Sequence, residues 1–304
     1  MGWVLNWSGF ILNYSASMEL PPPLPLDELE RLRRVRVETE LGALEALRPD
    51  APFVPADPRV PAIVLVPGMG MPAEGFVRQT PLGVLGELHL FENRTDPVPG
   101  ESGLSCYARY IEQYIVATQL DRRPGGVILG GASMGGALSL AVALRERVKL
   151  RGLIMMGSFG SPRTLRWWRH LAMAGIGLQS PALMRFFARP FLQYIPLFGR
   201  FSAAEAKLLV PPKRFDYRYY TFAMKLLRQM DQIEAARSLR LPVLIVHGTH
   251  DIVLPLRAGQ ELAEAIPGAA LVPVTGGNHM FFVTHSAEVN AALAQFIANC
   301  AAAT

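Results

Sequence analysis

Short, uninterrupted apolar runs recur along the chain and alternate with longer stretches of helical periodicity. The clearest run, Ala62–Val66, contains no polar residue and ends in Pro67 and Gly68. A run of this length predicts a strand that is buried on both faces of a parallel sheet. Further runs of the same kind occupy residues 88–91, 126–129, 153–156 and 243–246, with a weaker candidate at 270–274.

Helical periodicity fills the intervals between several of these runs. Near the N-terminus, residues 34–40 alternate between apolar and charged side chains, and Gly42 separates them from a second short run at 43–47, which predicts a β-hairpin. Strands that alternate with helices predict βαβ units, and therefore an α/β fold with a doubly wound, mostly parallel sheet. The predicted helices are residues 104–119, 135–147, 256–266 and 287–298.

One interval breaks the alternation. Residues 161–238 are rich in aromatic side chains, Met and Arg, have helical spacing and are punctuated by prolines. We expect them to form a helical lid inserted over the sheet. The 304 residues then divide into an N-terminal extension with a Pro-rich linker (1–33), a core (34–160 and 239–304) and the lid. This length suits one large domain with an insertion, or two small domains.

The first 17 residues contain tryptophans and aliphatic side chains but no Lys or Arg. They lack the basic start of a signal peptide and are too short and polar to span a bilayer, so an upstream extension and a weak surface anchor both stay open. No other window of 18 or more residues is apolar and free of charge, and we therefore expect a soluble, cytoplasmic protein. Cys106 and Cys300 show no disulfide or metal-site spacing and are expected to be core residues.

The net charge of +5 is unevenly distributed. Residues 160–240 hold 14 Lys or Arg and 4 Asp or Glu, a local charge of +10, and the rest of the chain carries −5. No pattern of a nucleic-acid-reading module accompanies this charge. The basic region could face an anionic substrate carrier or a phospholipid surface, or its arginines could simply keep an apolar insertion in solution.

The strongest chemical motif is Gly-Ala-Ser-Met-Gly-Gly at residues 131–136, between a predicted strand and a predicted helix. A GxSxG string alone is weak, because roughly one chain in ten of this composition contains one by chance. The context adds weight, because a serine at a sharp strand-to-helix turn needs small neighbours. Such a turn lifts the hydroxyl clear of the sheet at a helix N-terminus, whose N–H groups can stabilise an oxyanion. Ser133 is therefore the predicted nucleophile.

A serine hydroxyl needs a base near neutral pH, and the base needs an orienting acid. Asp251 stands in the loop after a buried predicted strand, and His279 follows a glycine pair after the last predicted strand. His250 and His285 lack that position, and His247 is expected to be a packed structural histidine. The loop after the strand that precedes the insertion contains no carboxylate that could replace Asp251.

Together these motifs resemble the α/β-hydrolase superfamily, particularly its lidded esterases, lactonases and related hydrolases with a GxSMGG elbow. The resemblance extends from about residue 34 to the C-terminus and places the nucleophile after the fifth strand, the acid after the seventh and the histidine after the eighth. It also implies that the backbone N–H groups of Met69 and Met134 receive the oxyanion. The family's HGxG loop begins with Pro67 here, which leaves those N–H groups in place and puts the support of the loop in question.

The resemblance implies hydrolysis of a carboxylic ester with an apolar acyl or alkyl group, through an acyl-enzyme and without a metal or organic cofactor. An acyl-thioesterase, a lipid-surface lipase that uses the basic lid, and a non-catalytic small-molecule receptor on the same fold stay open as alternatives. The expected partner is a small-molecule ester and not nucleic acid, with an anionic carrier or membrane surface as a further partner of the lid; oligomeric state is left open. Candidates for an acyl pocket are the insertion's aromatic residues, Trp167, Trp168, Phe186, Phe187, Phe191, Tyr194, Phe215, Tyr219 and Phe222.

Overall fold

A computed structural model describes residues 19–55, 57, 59–164, 201–202, 204–205 and 217–302. The strands in this part of the chain are β1 (Leu32–Thr39), β2 (Gly42–Pro49), β3 (Ala62–Val66), β4 (Glu87–Phe91), β5 (Val127–Ala132), β6 (Leu150–Met156), β7 (Val243–Gly248) and β8 (Ala270–Val274). The α-helices are α1 (Ser105–Ala117), α2 (Met134–Arg145), α3 (Tyr217–Gln229), α4 (Ile233–Ala236), α5 (Leu256–Ala265), α6 (Phe281–Thr284) and α7 (Ser286–Ala302). Leu29–Arg31, Ala73–Val84, Leu120–Arg122 and Pro162–Thr164 are 3-10 helices.

The strands form one sheet in the order β1-β2-β4-β3-β5-β6-β7-β8. The β1–β2 hairpin is antiparallel and joins β4 in antiparallel orientation, whereas every pair from β4 onward in this order is parallel. The predicted α/β fold with a mostly parallel sheet is confirmed. Because the parallel strands share one direction, their carboxyl ends meet at a single edge, hereafter the carboxyl edge, where α/β proteins bind ligands.

Helices cover both faces of this sheet. Ile63 and Leu65 pack into one hydrophobic layer with the Ala73–Val84 segment and α7, and Val64 and Val66 pack into a second layer with α1 and α2. Successive side chains of a strand point to opposite faces, so all five residues of β3 are buried and must be apolar. Each such aliphatic side chain contributes about 1.5–3 kcal/mol when fully buried. This explains the uninterrupted apolar runs of the sequence.

The boundaries of the predicted elements differ from the observed ones by only a few residues. The sequence predicts no element at Leu29–Arg31, at Leu120–Arg122, at α6 or, over the longest stretch, at the Ala73–Val84 segment. Pro72 precedes this segment and Pro81 lies inside it, and Gly75 packs so closely on Met71 that an added Cβ would stand 2.7 Å from its side chain. Proline removes a backbone donor and disfavours a regular α-helix. A broken run of 3-10 helix therefore forms here in place of a regular α-helix.

The two ends of the predicted lid meet at the carboxyl edge. The Gln232 backbone N–H donates to the Gly160 carbonyl at 2.8 Å, and its side-chain amide donates to the Ala137 carbonyl at 3.1 Å. Arg163 and Asp231 form an ion pair at 3.0 Å. The chain thus leaves the sheet after β6 and returns to it at the same place, which is the arrangement an insertion requires. The lid itself stays a prediction, because residues 165–200, 203 and 206–216 lie outside the described residues.

Part of the predicted N-terminal extension belongs to the core. Leu24 is fully buried, and its N–H donates to the Thr80 hydroxyl at 2.8 Å. Residues 1–18, including the segment left open as an extension or anchor, lie outside the described residues. Within the described part of the chain, no helix has both the length and the apolar composition needed to cross a bilayer. Cys106 and Cys300 are buried and unpaired, as predicted.

Candidate active site

Ser133 occupies the turn between β5 and α2. Its backbone has φ +54° and ψ −120°, a conformation that costs a non-glycine residue about 1–3 kcal/mol. The turn is held by the Ser133 N–H, which donates to the Met156 carbonyl at 2.9 Å, and by the Ser133 carbonyl, which accepts from the Ser158 hydroxyl at 2.8 Å. The serine side chain is partly exposed at the carboxyl edge.

The glycines around this serine are required by close backbone contacts. A Cβ on Gly131 would stand 2.4 Å from the carbonyl carbon of Gly135, and one on Gly135 would stand 2.0 Å from the Val66 oxygen. A Cβ on Gly136 would meet Ser158 at 2.6 Å. The first turn of α2 therefore lies directly against the ends of β3 and β6, which only glycine allows.

Asp251 and His279 form a hydrogen-bonded pair at the same edge. His279 Nδ1 lies 2.7 Å from Asp251 Oδ2. The other carboxylate oxygen, Oδ1, accepts the backbone N–H groups of Val253 and Leu254, both at 2.8 Å. Oδ1 of the carboxylate thus holds the loop after Asp251, and Oδ2 binds the imidazole of His279.

The surroundings of Asp251 favour its ionised form. Burial raises the pKa of this carboxyl, but the charge and hydrogen bond of His279, together with the backbone N–H of Leu254, outweigh burial and hold the pKa below its ordinary value. A carboxylate that stays ionised keeps the imidazole Nδ1 protonated, so that Nε2 carries the lone pair that can accept a proton.

Backbone contacts between β7 and the loop after β8 bring His279 to Asp251. The Gly277 carbonyl accepts the His250 N–H at 2.9 Å, and a Cβ on Gly248 would stand 2.2 Å from the same carbonyl oxygen. Gly276 has φ +75°, and its N–H donates to the Thr249 hydroxyl at 2.9 Å. Two residues that are 28 positions apart therefore meet because their strands are neighbours in the sheet.

The segment after β6 lies between the serine and the acid–histidine pair. The Met156 carbonyl binds the Ser133 N–H, and the next residue, Gly157, has φ +49°. A Cβ on Gly157 would stand 3.5 Å from Asp251 Oδ2 and 3.7 Å from the His279 carbonyl oxygen. The predicted nucleophile, acid and base are thus gathered around the carboxyl end of a single strand.

The two predicted oxyanion donors lie beside the serine. Gly68 packs on the nucleophile, since its Cβ would be 3.4 Å from the Ser133 Cβ, and this contact places Met69 next to the elbow. Met134 begins α2, where the first N–H groups have no partner within the helix. In the described part of the chain, neither the Met69 nor the Met134 N–H donates to a backbone carbonyl.

The remaining histidines have other surroundings. His247 is fully buried, and its Nε2 lies 3.0 Å from the Leu254 carbonyl and 3.7 Å from Asp251 Oδ2. Burial lowers the pKa of His247, so the neutral ring donates from Nε2 to that carbonyl and steadies the Asp251 loop. His250 is exposed, and His285 Nδ1 pairs with its neighbour Thr284 at 2.9 Å.

A small cavity of about 290 Å³ lies between α1, α3 and residues 95–97. Its aromatic wall consists of three side chains, Tyr107, Tyr219 and Phe222. The ring centroid of Tyr107 lies 5.8 Å from that of Tyr219 and 6.1 Å from that of Phe222. The Tyr219 hydroxyl lies 4.0 Å from the Met134 sulfur, so the cavity adjoins the residue that follows the serine. The other predicted pocket aromatics, Trp167, Trp168, Phe186, Phe187, Phe191, Tyr194 and Phe215, lie outside the described residues.

A parallel sheet with a serine turn and an acid–histidine pair at its carboxyl edge is the arrangement that α/β-hydrolases use. Within the described residues, no cluster of three or more His, Cys, Asp or Glu side chains is arranged to hold a metal ion.

Comparison with known proteins places the chain in a family. The sequence model of the "Alpha/beta hydrolase family" matches residues 63–292, and the chain belongs to that family. A pimeloyl-[acyl-carrier protein] methyl ester esterase of Chromobacterium violaceum is 24% identical over 246 residues, covering 78% of this chain and 94% of that protein. The enzyme of the same name from Aromatoleum aromaticum is 26% identical, covering 74% and 93%. The solved structure of an esterase from Exiguobacterium antarcticum superposes with a TM-score of 0.69 at 16% identity, covering 87% and 99%. The family and these relatives support a hydrolase.

Proposed function

We propose that this protein is a serine hydrolase that cleaves a carboxylic ester through an acyl-enzyme intermediate. The observation that carries the proposal is the 2.7 Å hydrogen bond between His279 and Asp251, at the edge where Ser133 stands on a strained turn. A buried carboxylate with two backbone donors on one oxygen and an imidazole on the other is suited to orienting a catalytic base.

The proposed reaction has two steps. Ser133 Oγ attacks the ester carbonyl while His279 Nε2 takes its proton, and the Met69 and Met134 N–H groups receive the developing oxyanion. The protonated His279 then gives its proton to the leaving alkoxide, which departs as the alcohol. Water, deprotonated by the same histidine, attacks the acyl-enzyme and releases the carboxylic acid, which restores the serine.

The reaction is tested with short p-nitrophenyl esters and a fluorophosphonate probe. Ser133→Ala is expected to lose turnover by about 10⁶-fold if the three side chains act as a unit, and to lose labelling by the probe. Ser238→Ala is the matched control, since among the described residues this exposed serine bonds only its own turn, at the Ala235 carbonyl. Turnover or labelling retained by Ser133→Ala refutes the proposal, and a folded wild type that is neither active nor labelled favours the receptor alternative.

The 290 Å³ cavity supports an ester with a compact apolar group. Its aromatic wall of Tyr107, Tyr219 and Phe222 adjoins Met134, whose N–H is a proposed oxyanion donor. The proposal places the apolar group of the substrate in this cavity, on the Met134 side of the carbonyl under attack. We therefore expect short acyl or aryl esters to be preferred over long-chain esters in the wild type.

A second candidate is an ester or thioester carried by an acidic partner. The curated relatives named above act, by their names, on an ester bound to an acyl carrier protein. On the described lid segment α3, Arg218, Lys225 and Arg228 are exposed, and the helix contains no acidic residue. Spacings of seven and three residues bring these cations to one side of the helix, where an anionic surface could bind.

Salt and charge reversal separate the two candidates. If an acidic carrier docks on α3, Lys225→Glu combined with Arg228→Glu should raise KM for a carrier-bound ester about tenfold or more, and leave the free methyl ester unchanged. Raising the salt from about 0.05 to 0.5 M should weaken the carrier reaction in the wild type only. Lys149→Glu, an exposed change outside α3, is the control. Equal response of carrier-bound and free esters contradicts docking on α3.

A further inference from the structure

The loop that carries the proposed oxyanion donor Met69 begins with Pro67, whose side chain cannot form a hydrogen bond that would support the loop. Pro67 has no N–H and no polar side chain, so it can hold the loop only through its carbonyl oxygen. That oxygen accepts a hydrogen bond from Asn93 Nδ2 at 2.8 Å. A carbonyl can only accept, so the Asn93 atom that faces it must be the NH₂ group.

Hydrogen bonds fix two successive peptide planes of this loop. The Gly68 carbonyl accepts the Met71 N–H at 3.1 Å. In a trans peptide the C=O and the following N–H point in opposite directions, so this bond sets the direction of the Met69 N–H. The Asn93 bond fixes the preceding plane, at the Pro67 carbonyl. Loss of the Asn93 bond would free the Pro67 plane and allow the turn that carries the Met69 donor to shift as a whole.

The same loop touches the elbow at two points, so a small displacement would change both oxyanion donors. A Cβ on Gly68 would stand 3.4 Å from the Ser133 Cβ, and a Cβ on Gly135 would stand 2.6 Å from the Pro67 carbonyl oxygen. Oxyanion stabilisation depends on donors that are held in place before the charge develops. The spacing of the Met69 and Met134 N–H groups is therefore set partly at Pro67.

Asn93 is itself presented from a fixed segment. It follows β4, and its neighbour Glu92 donates its N–H to the Glu45 carbonyl of β2 at 3.0 Å. Arg94 on the other side donates to the Ala43 carbonyl at 3.1 Å and pairs with Asp96 at 2.9 Å. Because the residues on both sides of Asn93 are held by hydrogen bonds, its side chain is presented to the Pro67 carbonyl from a fixed backbone position.

We propose that Asn93 is a positioning residue that holds the oxyanion loop through the Pro67 carbonyl and thereby stabilises the transition state of ester hydrolysis. The inference rests on the proposed serine-hydrolase function. Asn93 itself does not touch the reacting atoms; it acts through the Met69 N–H.

The test compares Asn93→Leu and Asn93→Asp with the wild type. Leucine removes the donor at similar volume, and aspartate keeps the shape but turns an acceptor toward the Pro67 carbonyl. We expect kcat to fall about 10- to 100-fold, less than the 10²–10³ lost when a donor is removed outright, with KM within about threefold. Affinity for a boronic acid, which forms a tetrahedral adduct on the serine, should fall by the same factor as kcat.

Asn290→Leu is the matched control for a merely structural role. Asn290 Nδ2 donates to the Arg78 carbonyl at 2.7 Å, the same kind of bond, made to a segment that contains no predicted site residue. Its loss is expected to lower Tm without changing kcat or boronic acid affinity of the folded enzyme. If that variant does not fold, Gln113→Leu, which breaks the exposed amide bond to Glu40, replaces it.

The outcomes separate the inference from the proposed function. If both Asn93 variants keep the wild-type kcat and the wild-type affinity for the boronic acid, the proposed role of Asn93 is refuted and the proposed hydrolase function is unaffected. Equal losses of kcat and Tm in the Asn93 and Asn290 variants also overturn that role, because the loss would then reflect general stability. A wild type with no turnover and no labelling of Ser133 overturns the hydrolase, and the inference with it.

Discussion

Replacing Asp251 with asparagine tests the division of work between its two carboxylate oxygens. Oδ1 accepts two backbone N–H groups at 2.8 Å, and Oδ2 faces His279 Nδ1 at 2.7 Å. An asparagine has one oxygen and one NH₂ group, so it can satisfy only one of these two sides. If the NH₂ faced the loop, the part-buried Val253 N–H and the buried Leu254 N–H would lose their partner, at about 1–3 kcal/mol for the buried donor. We therefore expect the oxygen to keep the loop and the NH₂ to face the histidine.

That orientation changes the tautomer of His279. An NH₂ group opposite Nδ1 requires a lone pair there, which moves the ring proton to Nε2 and removes the base that we propose for Ser133. The same replacement in a serine-protease triad lowers kcat by about 10⁴, and we expect a similar loss here. Because shape and loop bonds are kept, the free energy of unfolding should change by no more than about 2 kcal/mol.

The assay is kcat on p-nitrophenyl acetate together with thermal unfolding. Asp57→Asn is the control, since this partly exposed aspartate has Arg59 as its ion-pair partner among the described residues and lies away from the carboxyl edge. A kcat within tenfold of the wild type would show that the Asp251–His279 bond does not set the tautomer. A fall in Tm large enough to unfold the variant at the assay temperature would show that the amide could not keep the loop.

Three further predictions follow from distances and pKa shifts elsewhere. Gly135→Ala places a Cβ 2.0 Å from the Val66 carbonyl oxygen, so we expect it to lower the free energy of unfolding, measured in urea, by about 1–3 kcal/mol and to lose turnover. The control is Gly268→Ala, where φ is +74° and no atom lies within 4 Å of the added Cβ; it should lower the free energy of unfolding by about 1 kcal/mol and keep full activity. Phe222→Ala enlarges the 290 Å³ cavity and should raise the ratio of kcat/KM for longer over shorter esters, and an unchanged ratio would place the substrate elsewhere. Burial and the charge of Arg48 lower the pKa of His89 from 6.5 to about 3. Between pH 6.5 and about pH 3, His89 is therefore protonated in the unfolded chain and neutral in the folded protein. Stability should fall with decreasing pH in that window, by up to about 1.4 kcal/mol per unit, and a His89→Gln variant with the same slope in acid unfolding would contradict this account.

The neutral state of His89 follows from its neighbours. Its Nδ1 lies 2.7 Å from the Tyr114 hydroxyl and its Nε2 lies 3.1 Å from Glu87. Glu87 already pairs with Arg48 at 2.8 Å and with Arg123, so its charge is compensated without the histidine. The ring therefore accepts from Tyr114 and donates to Glu87 as a neutral group.

Much of the fold could be predicted because one physical cause decides it. A strand buried on both faces must be apolar throughout, so Ala62–Val66 and its counterparts were visible as runs in the sequence. The alternation with helices then fixed the parallel direction of the strands. That direction alone implies that residues following different strands, such as Ser133 and Asp251, lie at one edge.

The remaining features depend on contacts that leave no periodic trace. Pro72, Gly75 and Pro81 break the Ala73–Val84 segment into a 3-10 path, so no regular helix forms there. The bond of Asn93 to Pro67 joins two loops, and an asparagine in a loop is usually a turn residue. Only the adjacency of β3 and β4 could have pointed to it, since residues that follow neighbouring parallel strands meet.

The site divides into a rigid half and a variable half, and this division predicts where specificity resides. The serine turn, the proposed oxyanion loop and the loop that carries His279 are held by backbone contacts at Gly135 and Gly248 that tolerate no added atom. Substitutions there change the spacing of the reacting groups and should lower kcat for every ester alike. The cavity wall at Tyr219 and Phe222 belongs instead to α3, within a segment whose ends are tied to the sheet near Gln232. Changes in α3 can therefore alter which ester fits without moving the chemistry, so the ratio between esters should respond to this helix and the common rate should respond to the glycines.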